Sequence, residues 1–447
     1  MNFSSDDPVL VDGFQWARTQ ALAYGFEGDP VGSWYEAALP GRAAFCMRDV
    51  SHQATGAHFL GLAHHTYNML HRFAENITAT RDWCSFWEID RRNLPCPADY
   101  RDDRYFWYNL PANFDVLDCC LRQYHWTGNP GYLSDPAFRF FYNKSVTDYV
   151  RQWDKDGDGL LEHYPEYGFR GIATYNEQIA HPLMGSDLLA AQFAAYCAYA
   201  EMLALEDRPA DAETFRTLAN GLQKLYDETW WNENAGRYSS YRYQDGGFCR
   251  DFHGSTTLFS LYFGLIQHPE RLGRTLDEVS ERVPSSNIEE RSYLPEILYR
   301  YGRNEAAYRE MKALFAPDLP RREYPEISFA LIGALGSGVM GLAPKASERQ
   351  ISTLPRLTQA NGWAEIANVC VFEASISVRH DGQHATQFTL HNGRPLTWRA
   401  AFPGSHPALL VDGQPWPAQP SQGAAGQPES SVILRVSPGE THRVSID

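Results

Sequence analysis

The chain has 447 residues, more than the roughly 250–300 at which a single core usually stops growing, so one large domain plus a smaller one is expected. Its formal charge of −16, from 39 basic and 55 acidic residues, repels phosphate backbones and argues against a nucleic-acid partner. No run approaches the 18 or so consecutive apolar residues of a membrane span.

The N-terminus, MNFSSDDPVLVDGFQW, has no basic start followed by an apolar stretch, so it does not read as a signal peptide. A cytoplasmic location is the expectation, with a trimmed secreted form as the alternative. The 8 cysteines are scattered without a CxxC pair, which favours reduced thiols over a zinc site and implies no metal.

From about residue 9 to 342 the helical period dominates. Apolar residues recur at i, i+3, i+4 and i+7 over 54–77, 112–127, 136–153, 187–206, 209–229, 255–267, 293–302, 304–314 and 326–341. Ser186-Asp187 is a plausible cap for one helix, and Asp135-Pro136 starts another. Short turns alternate with long aromatic loops and no regular repeat is visible, so a closed toroid of helix hairpins is expected rather than a solenoid. After Pro344 the pattern changes to short β-type runs separated by Gly, Asn, Asp and Pro turns. The expected architecture is a helical catalytic domain over 1–344 and an antiparallel, sandwich-like β-domain over 345–447. The polar stretch PAQPSQGAAGQPESS reads as a flexible hairpin.

Five loops could carry chemistry. The first, 33–53, places Arg48 and Asp49 at a helix entrance, a carboxylate beside a fork of donors suited to vicinal hydroxyls. The second, 81–115, holds Trp83, Phe86, Trp87, Tyr105, Phe106, Trp107 and Tyr108 among acidic residues and arginines. A wall lining a sugar pocket would explain that mixture, and Trp87, Trp107 and Tyr108 are its candidate binding residues. In the third, Asp154, Asp156, Asp158 and Gly159 open like a calcium loop. The twelfth position is Pro165 rather than Glu, so a turn ending a helix is favoured. The same loop carries Arg170, Tyr175 and Glu177. The fourth and fifth, 285–296 and 320–342, set Glu289, Glu290, Glu323 and Glu326 before helices, where capping is the simplest role. Glycoside hydrolysis needs one protonated carboxyl and one ionised carboxylate, and a toroid would bring such loops to one rim.

The order of these features resembles the six-hairpin (α/α)6-barrel glycosidases, the group of trehalases, processing α-glucosidases and mannosylglycerate hydrolases. The resemblance covers roughly residues 30–342 and rests on PGRAAFCMRD, FDVLDCCLRQYHWTGN, WDKDGDGLLE, MGSDLLAAQFAAYCAYAEML and EYPE. It implies an acid from the loop before the helix starting near Ser186, hence Glu177. It implies a base from the loop before the last barrel helix, hence Glu323 with Glu326 as its rival, and an inverting outcome. The chain departs where several of those families carry an aspartate in a Ser-Gly-x-Asp setting, since TYNEQ stands there, so Glu289 and Glu290 are substitutes. The style is also similar to β-glucuronidase-type barrels. Arg48, Arg170, Arg291, Arg321 and Arg322 would be the partners of a sugar carboxylate, or else of neighbouring Asp and Glu.

The leading expectation is a glycosidase of carbohydrate metabolism acting on an oligosaccharide or glycoside, with a uronic acid residue as one candidate. It needs no cofactor and no membrane or nucleic-acid partner, and a homodimer is left open. The alternatives are a polysaccharide lyase or unsaturated-uronide hydrolase using Tyr164, Tyr175 and Arg170, and a sugar epimerase using His52, His64, His163, His181 or His253.

Overall fold

The computed structural model describes residues 1–177, 179, 182–358 and 362–446. The helices are α1 (Pro8–Ala23), α2 (Met47–Phe59), α3 (Ala63–Glu75), α4 (Pro111–Thr127), α5 (Gly131–Ser134), α6 (Pro136–Val146) and α7 (Asp148–Trp153). They continue as α8 (Ser186–Leu205), α9 (Pro209–Leu225), α10 (Gly254–Tyr262), α11 (Pro269–Arg282), α12 (Ile288–Arg300), α13 (Asn304–Phe315) and α14 (Pro325–Gly333).

The contacts among α2, α4, α8, α10, α12 and α14 form a closed circuit: each touches the next, and α14 returns to α2. A second row packs outside, with α3 on α2, α9 on α8, α11 on α10, α13 on α12 and α1 on α14. Side-chain pattern explains the sorting. α2, α8 and α14 bury almost every residue; α8 and α14 are apolar on nearly all sides, whereas α2 buries polar Asp49, Ser51, His52 and Gln53 as well. α11 buries only Leu272, Thr275, Leu276 and Val279 and turns its charged face outward. α8 is the only helix among the described residues long and apolar enough to cross a membrane, and most of it is buried inside the protein.

Several expected helices differ: 136–153 divides into α6 and α7 at Thr147, and 209–229 ends as α9 at Leu225 with π-type turns over Tyr226–Trp230. The stretch 54–77 breaks into α2 and α3, because Gly61 adopts φ +85° and turns the chain back between an inner and an outer helix. The last helix ends at Gly333 and continues as wider π-type turns over Ala334–Val339. There Gly336 and Gly338 face the rings of Phe59 and Tyr299, which leave no room for a side chain.

Two facing sheets make the β unit. One runs Asn2–Ser5, Trp363–Val371, Ala374–Asp381, Ala385–Asn392, Thr441–Ser445, Ala408–Val411 and Gln414–Pro417. The other runs Ala343–Lys345, Gln350–Thr353, Leu396–Pro403, Pro428–Val436 and Gln419–Gln422. Alternate residues of Ala374–Asp381 are buried, and Phe388 stacks on Trp398 across the gap at 4.9 Å. Two details depart from the expectation. Gln350–Thr353 pairs parallel with Leu396–Pro403, and the N-terminal strand joins the first sheet at residues 364–367. The polar stretch does form a hairpin, Gln419–Gln422 against Pro428–Val436.

The two units meet through buried histidines. His58 Nε2 donates to the Cys370 carbonyl at 2.7 Å and His380 Nε2 to that of Met340 at 3.1 Å. Burial pulls both imidazoles down to about 4. The unfolded chain takes up these protons near its ordinary 6.5 while the folded one resists to about 4. Their stabilisation is therefore complete above pH 6.5 and is lost as pH falls towards 4. The double variant His58→Gln/His380→Gln is expected to flatten the pH dependence of Tm across that window, measured by calorimetry.

The circuit closes where α2 crosses α14. A Cβ on Gly56 would lie 1.9 Å from the Phe329 carbonyl oxygen, so only glycine permits this approach. Gly56→Ala is expected to cost about 3 kcal/mol in denaturant unfolding, because backbone rather than a flexible side chain must move.

Candidate active site

The first turns of several inner helices face one cleft of about 920 Å³. α2 supplies Arg48 and Asp49, α10 Gly254 and Ser255, α12 Glu289 and Glu290, and α14 Glu326. Glu177 enters from the segment before α8. A side pocket of about 260 Å³ shares Arg48, Asp49, Glu177, Glu289 and Glu326, and adds Trp87, Trp107, Glu88 and Asp99.

Local bonding explains how Glu177 is presented. Asp187, in the first turn of α8, accepts from the Tyr175 N–H at 2.6 Å and from the Thr174 hydroxyl at 2.9 Å. Asn176 donates to the Tyr241 hydroxyl at 2.9 Å. The segment is thus tied to the protein up to the residue before Glu177. Glu326 is held from the other side. The Gln53 amide on α2, oriented to donate to the Glu36 carbonyl, accepts from the Glu326 N–H at 3.1 Å. Glu290 donates its N–H to the capping Asn287 side chain at 2.9 Å and packs its carboxyl against Gly254.

The cleft is rich in carboxyls and poor in cations. Arg48 lies 3.4 Å from Asp49 and over the Tyr175 ring, and the Cys46 thiol donates to the other Asp49 oxygen at 2.8 Å. Glu326 is buried, and its Oε1 has no hydrogen-bond partner among the described residues. Burial, then Asp49 and Glu289, push its proton affinity well above the carboxylate range, while Arg48 opposes them. Glu177 is exposed into the cleft, yet the surrounding walls still push it up, with Arg48 opposing and Asp49 and Glu289 adding. Burial and the neighbouring Asp99 push Glu88 up to about 9 although Arg42 bridges the two at 2.6 and 2.9 Å. On the floor, His52 stacks on Tyr293 at 3.5 Å, bonds Ser292 through Nε2 and is held down to about 3, mainly by burial.

The structure brings together Arg48, Asp49, Tyr175, Glu177, Glu289, Glu290, Glu326, Trp87 and Trp107. It places the other expected site residues elsewhere. Glu323 is exposed outside the cleft, and its carbonyl accepts from Tyr24 and Gln20. Tyr108 is buried in the core, where its hydroxyl donates to Asn113 at 2.6 Å. Arg170 pairs with Asp82 at 2.9 Å and Arg291 with Glu310 at 2.7 Å. Arg322 lies over the Trp16 ring and donates to the Phe315 carbonyl. Asp154, Asp156 and Asp158 accept N–H groups of their own turn, as a turn ending a helix does. Among the histidines, His253 lines the cleft with His52, while His181 lies outside the described residues.

Asp115 is a residue the sequence reading missed. It lies within the inner helix α4, where the period calls for an apolar side chain, and that mismatch was the available signal. It accepts from the hydroxyl of Tyr175, whose ring lies under the Arg48 guanidinium, at 3.0 Å.

No family model and no curated protein sequence matches the chain. Solved structures do. The α-L-rhamnosidase from Dictyoglumus thermophilum superposes with a TM-score of 0.64 at 13% identity, covering 100% of this chain and 50% of its own. The Streptomyces avermitilis α-L-rhamnosidase complexed with L-rhamnose gives 0.63 at 15% identity, covering 100% and 42%. A GH78 family rhamnosidase of Bacillus sp. GL1 gives 0.63 at 14% identity, covering 87% and 41%. The chain shares the fold of the α-L-rhamnosidases. It spans half or less of the length of these three enzymes.

Burial pushes the Asp115 carboxyl up to about 7 from its ordinary 3.8. The protonated form therefore stabilises the fold fully below pH 3.8, and this contribution is lost as pH rises through 7. Asp115→Asn, which cannot ionise, is expected to gain stability relative to the native chain between pH 4 and pH 8 in urea titrations. A constant difference across that range would contradict the assignment.

Proposed function

We propose that the chain is a glycoside hydrolase that removes a terminal, uncharged sugar by a two-carboxylate mechanism. The reading is carried by the convergence of Glu177, Asp49, Glu289 and Glu326 on one cleft, from four separate parts of the chain. The circuit of helices is read as an (α/α)6 toroid whose inner N-termini form the catalytic rim. The rhamnosidase fold makes an α-L-rhamnoside the first substrate to test.

In this scheme Glu177 is the proton donor to the glycosidic oxygen. It faces the open cleft with a raised proton affinity, as a general acid requires. Glu326, deeper, is the base that takes a proton from the attacking water, and it replaces Glu323 in that role. To act as a base Glu326 must be the carboxylate, a form that Arg48 favours against burial, Asp49 and Glu289. Water attacking from the Glu326 side, opposite the leaving group, would invert the anomeric centre. Asp49 and Glu289 are assigned to substrate hydroxyls.

The charge balance supports a neutral sugar over a uronic acid at this position. Arg48, Arg282 and Arg321 line the main cleft against Asp49, Glu177, Glu281, Glu289, Glu290 and Glu326. Three of the arginines expected to hold a uronate, Arg170, Arg291 and Arg322, are engaged elsewhere. Of the two described histidines that line the cleft, His52 is engaged, with Nε2 bound to Ser292 and its ring flat on Tyr293, which leaves His253 as the imidazole an isomerase would use.

Glu177→Gln and Glu326→Gln should each lower kcat by about 10³-fold on the best substrate from a panel of nitrophenyl glycosides, α-L-rhamnoside and β-D-glucuronide included. Glu323→Gln should retain near-native turnover. Full activity in either of the first two variants would remove the pair, and activity on the glucuronide alone would overturn the neutral-sugar reading.

A further inference from the structure

A second groove of about 740 Å³, built from the 97–107 and 166–170 segments, adjoins the side pocket. Asp99 and Trp107 belong to both spaces, and the side pocket shares the acidic residues of the main cleft. The candidate carboxyls therefore line a space that adjoins the groove.

The groove differs from the cleft in surface and in charge. Tyr105 and Phe169 line it at 63% and 62% exposure, the two most exposed large hydrophobic side chains among the described residues. Apolar rings grouped in one groove mark a binding surface more than rings scattered singly do. Phe169 stacks on Trp107 at 5.5 Å and 24°, and the Trp107 ring is fixed by its N–H bond to Asn109 at 2.9 Å. The two rings are stacked on each other. Guanidinium groups line the same groove, that of Arg101 lying over the Tyr105 ring at 5.2 Å. Arg104 has no ion pair among the described residues, and the side chain of Arg101 is 80% exposed, with Asp102 no nearer than 3.9 Å. Arg170 adds a third, shared with Asp82. Of the two lining carboxylates, Asp99 is taken by Arg42 and Glu166 stays at the edge.

We infer that this groove receives the leaving-group side of the substrate and that the residue it takes is an acidic sugar. Its ring face rests on Trp107 and Phe169 and its carboxylate meets Arg101 and Arg104. The assignment of the groove to the leaving side rests on the hydrolase reading above. Its selectivity for an acidic sugar rests on the charges alone. A neutral sugar in the carboxyl-rich cleft joined to an acidic one in the arginine-lined groove satisfies both electrostatic environments, whereas the reverse orientation satisfies neither.

The test is a calorimetric titration of the full chain with trigalacturonate and with its methyl ester, which has the same rings and no charge. The acid form should bind at least ten-fold more tightly, with an advantage that shrinks as salt is raised. The double variant Arg101→Gln/Arg104→Gln should abolish that advantage, and Trp107→Ala should weaken both forms. Equal binding of acid and ester, no binding of either, or an advantage that survives the double variant would overturn the inference. Binding does not need turnover, so the two readings separate. Selective binding by a chain that cleaves no glycoside would sink the hydrolase and leave the acidic-sugar groove standing. Hydrolysis without selectivity would do the opposite.

Discussion

The arrangement depends on the contact between the backbones of α2 and α14. Gly56 lets the two helices approach until the Phe329 carbonyl occupies the place of a side chain. Gln53, one turn earlier, ties α2 to the first N–H groups of α14. The same approach brings the first turn of the first inner helix beside the first turn of the last, so Asp49 and Glu326 share one cleft although they are far apart in the chain. A wider crossing would leave the helices intact and separate the two carboxyls.

That closeness sets the electrostatics. Carboxylates at helix N-termini are ordinarily favoured by the unsatisfied N–H groups and the dipole. Here burial and neighbouring acids act against ionisation, and Arg48 opposes them at both Glu177 and Glu326. Both proton affinities are raised, that of Glu326 the further. Tyr175 beneath Arg48 and Asp115 on its hydroxyl extend this balance into the floor, where neutral His52 adds no further charge.

The β unit acts from the opposite side. The first strand of the chain lies on its edge, and His58 and His380 bond across its contact with the helices. None of its described residues lines the cleft or the side pocket.

Much of this was legible in the sequence, because helical and strand periods are local properties. The spacing of apolar residues marked most helices, and the loss of that spacing after Pro344 marked the β unit. The carboxylates before α8, α12 and α14 could be read as rim residues from their positions alone. What the sequence left open was direction and partnership. Glu323 and Glu326 are three residues apart, yet the helix begins between them at Pro325, turning one side chain into the cleft and leaving the other in solvent. Arg170, Arg291 and Arg322 sat in the right loops and found Asp82, Glu310 and Trp16 instead. A charge can be read from one residue, but its partner is set by distances that exist only after the chain has closed on itself. The sequence determined where helices start and which loops carry acids. The tertiary structure decided which acids meet, because that depends on how closely two helix backbones can pass at a single glycine.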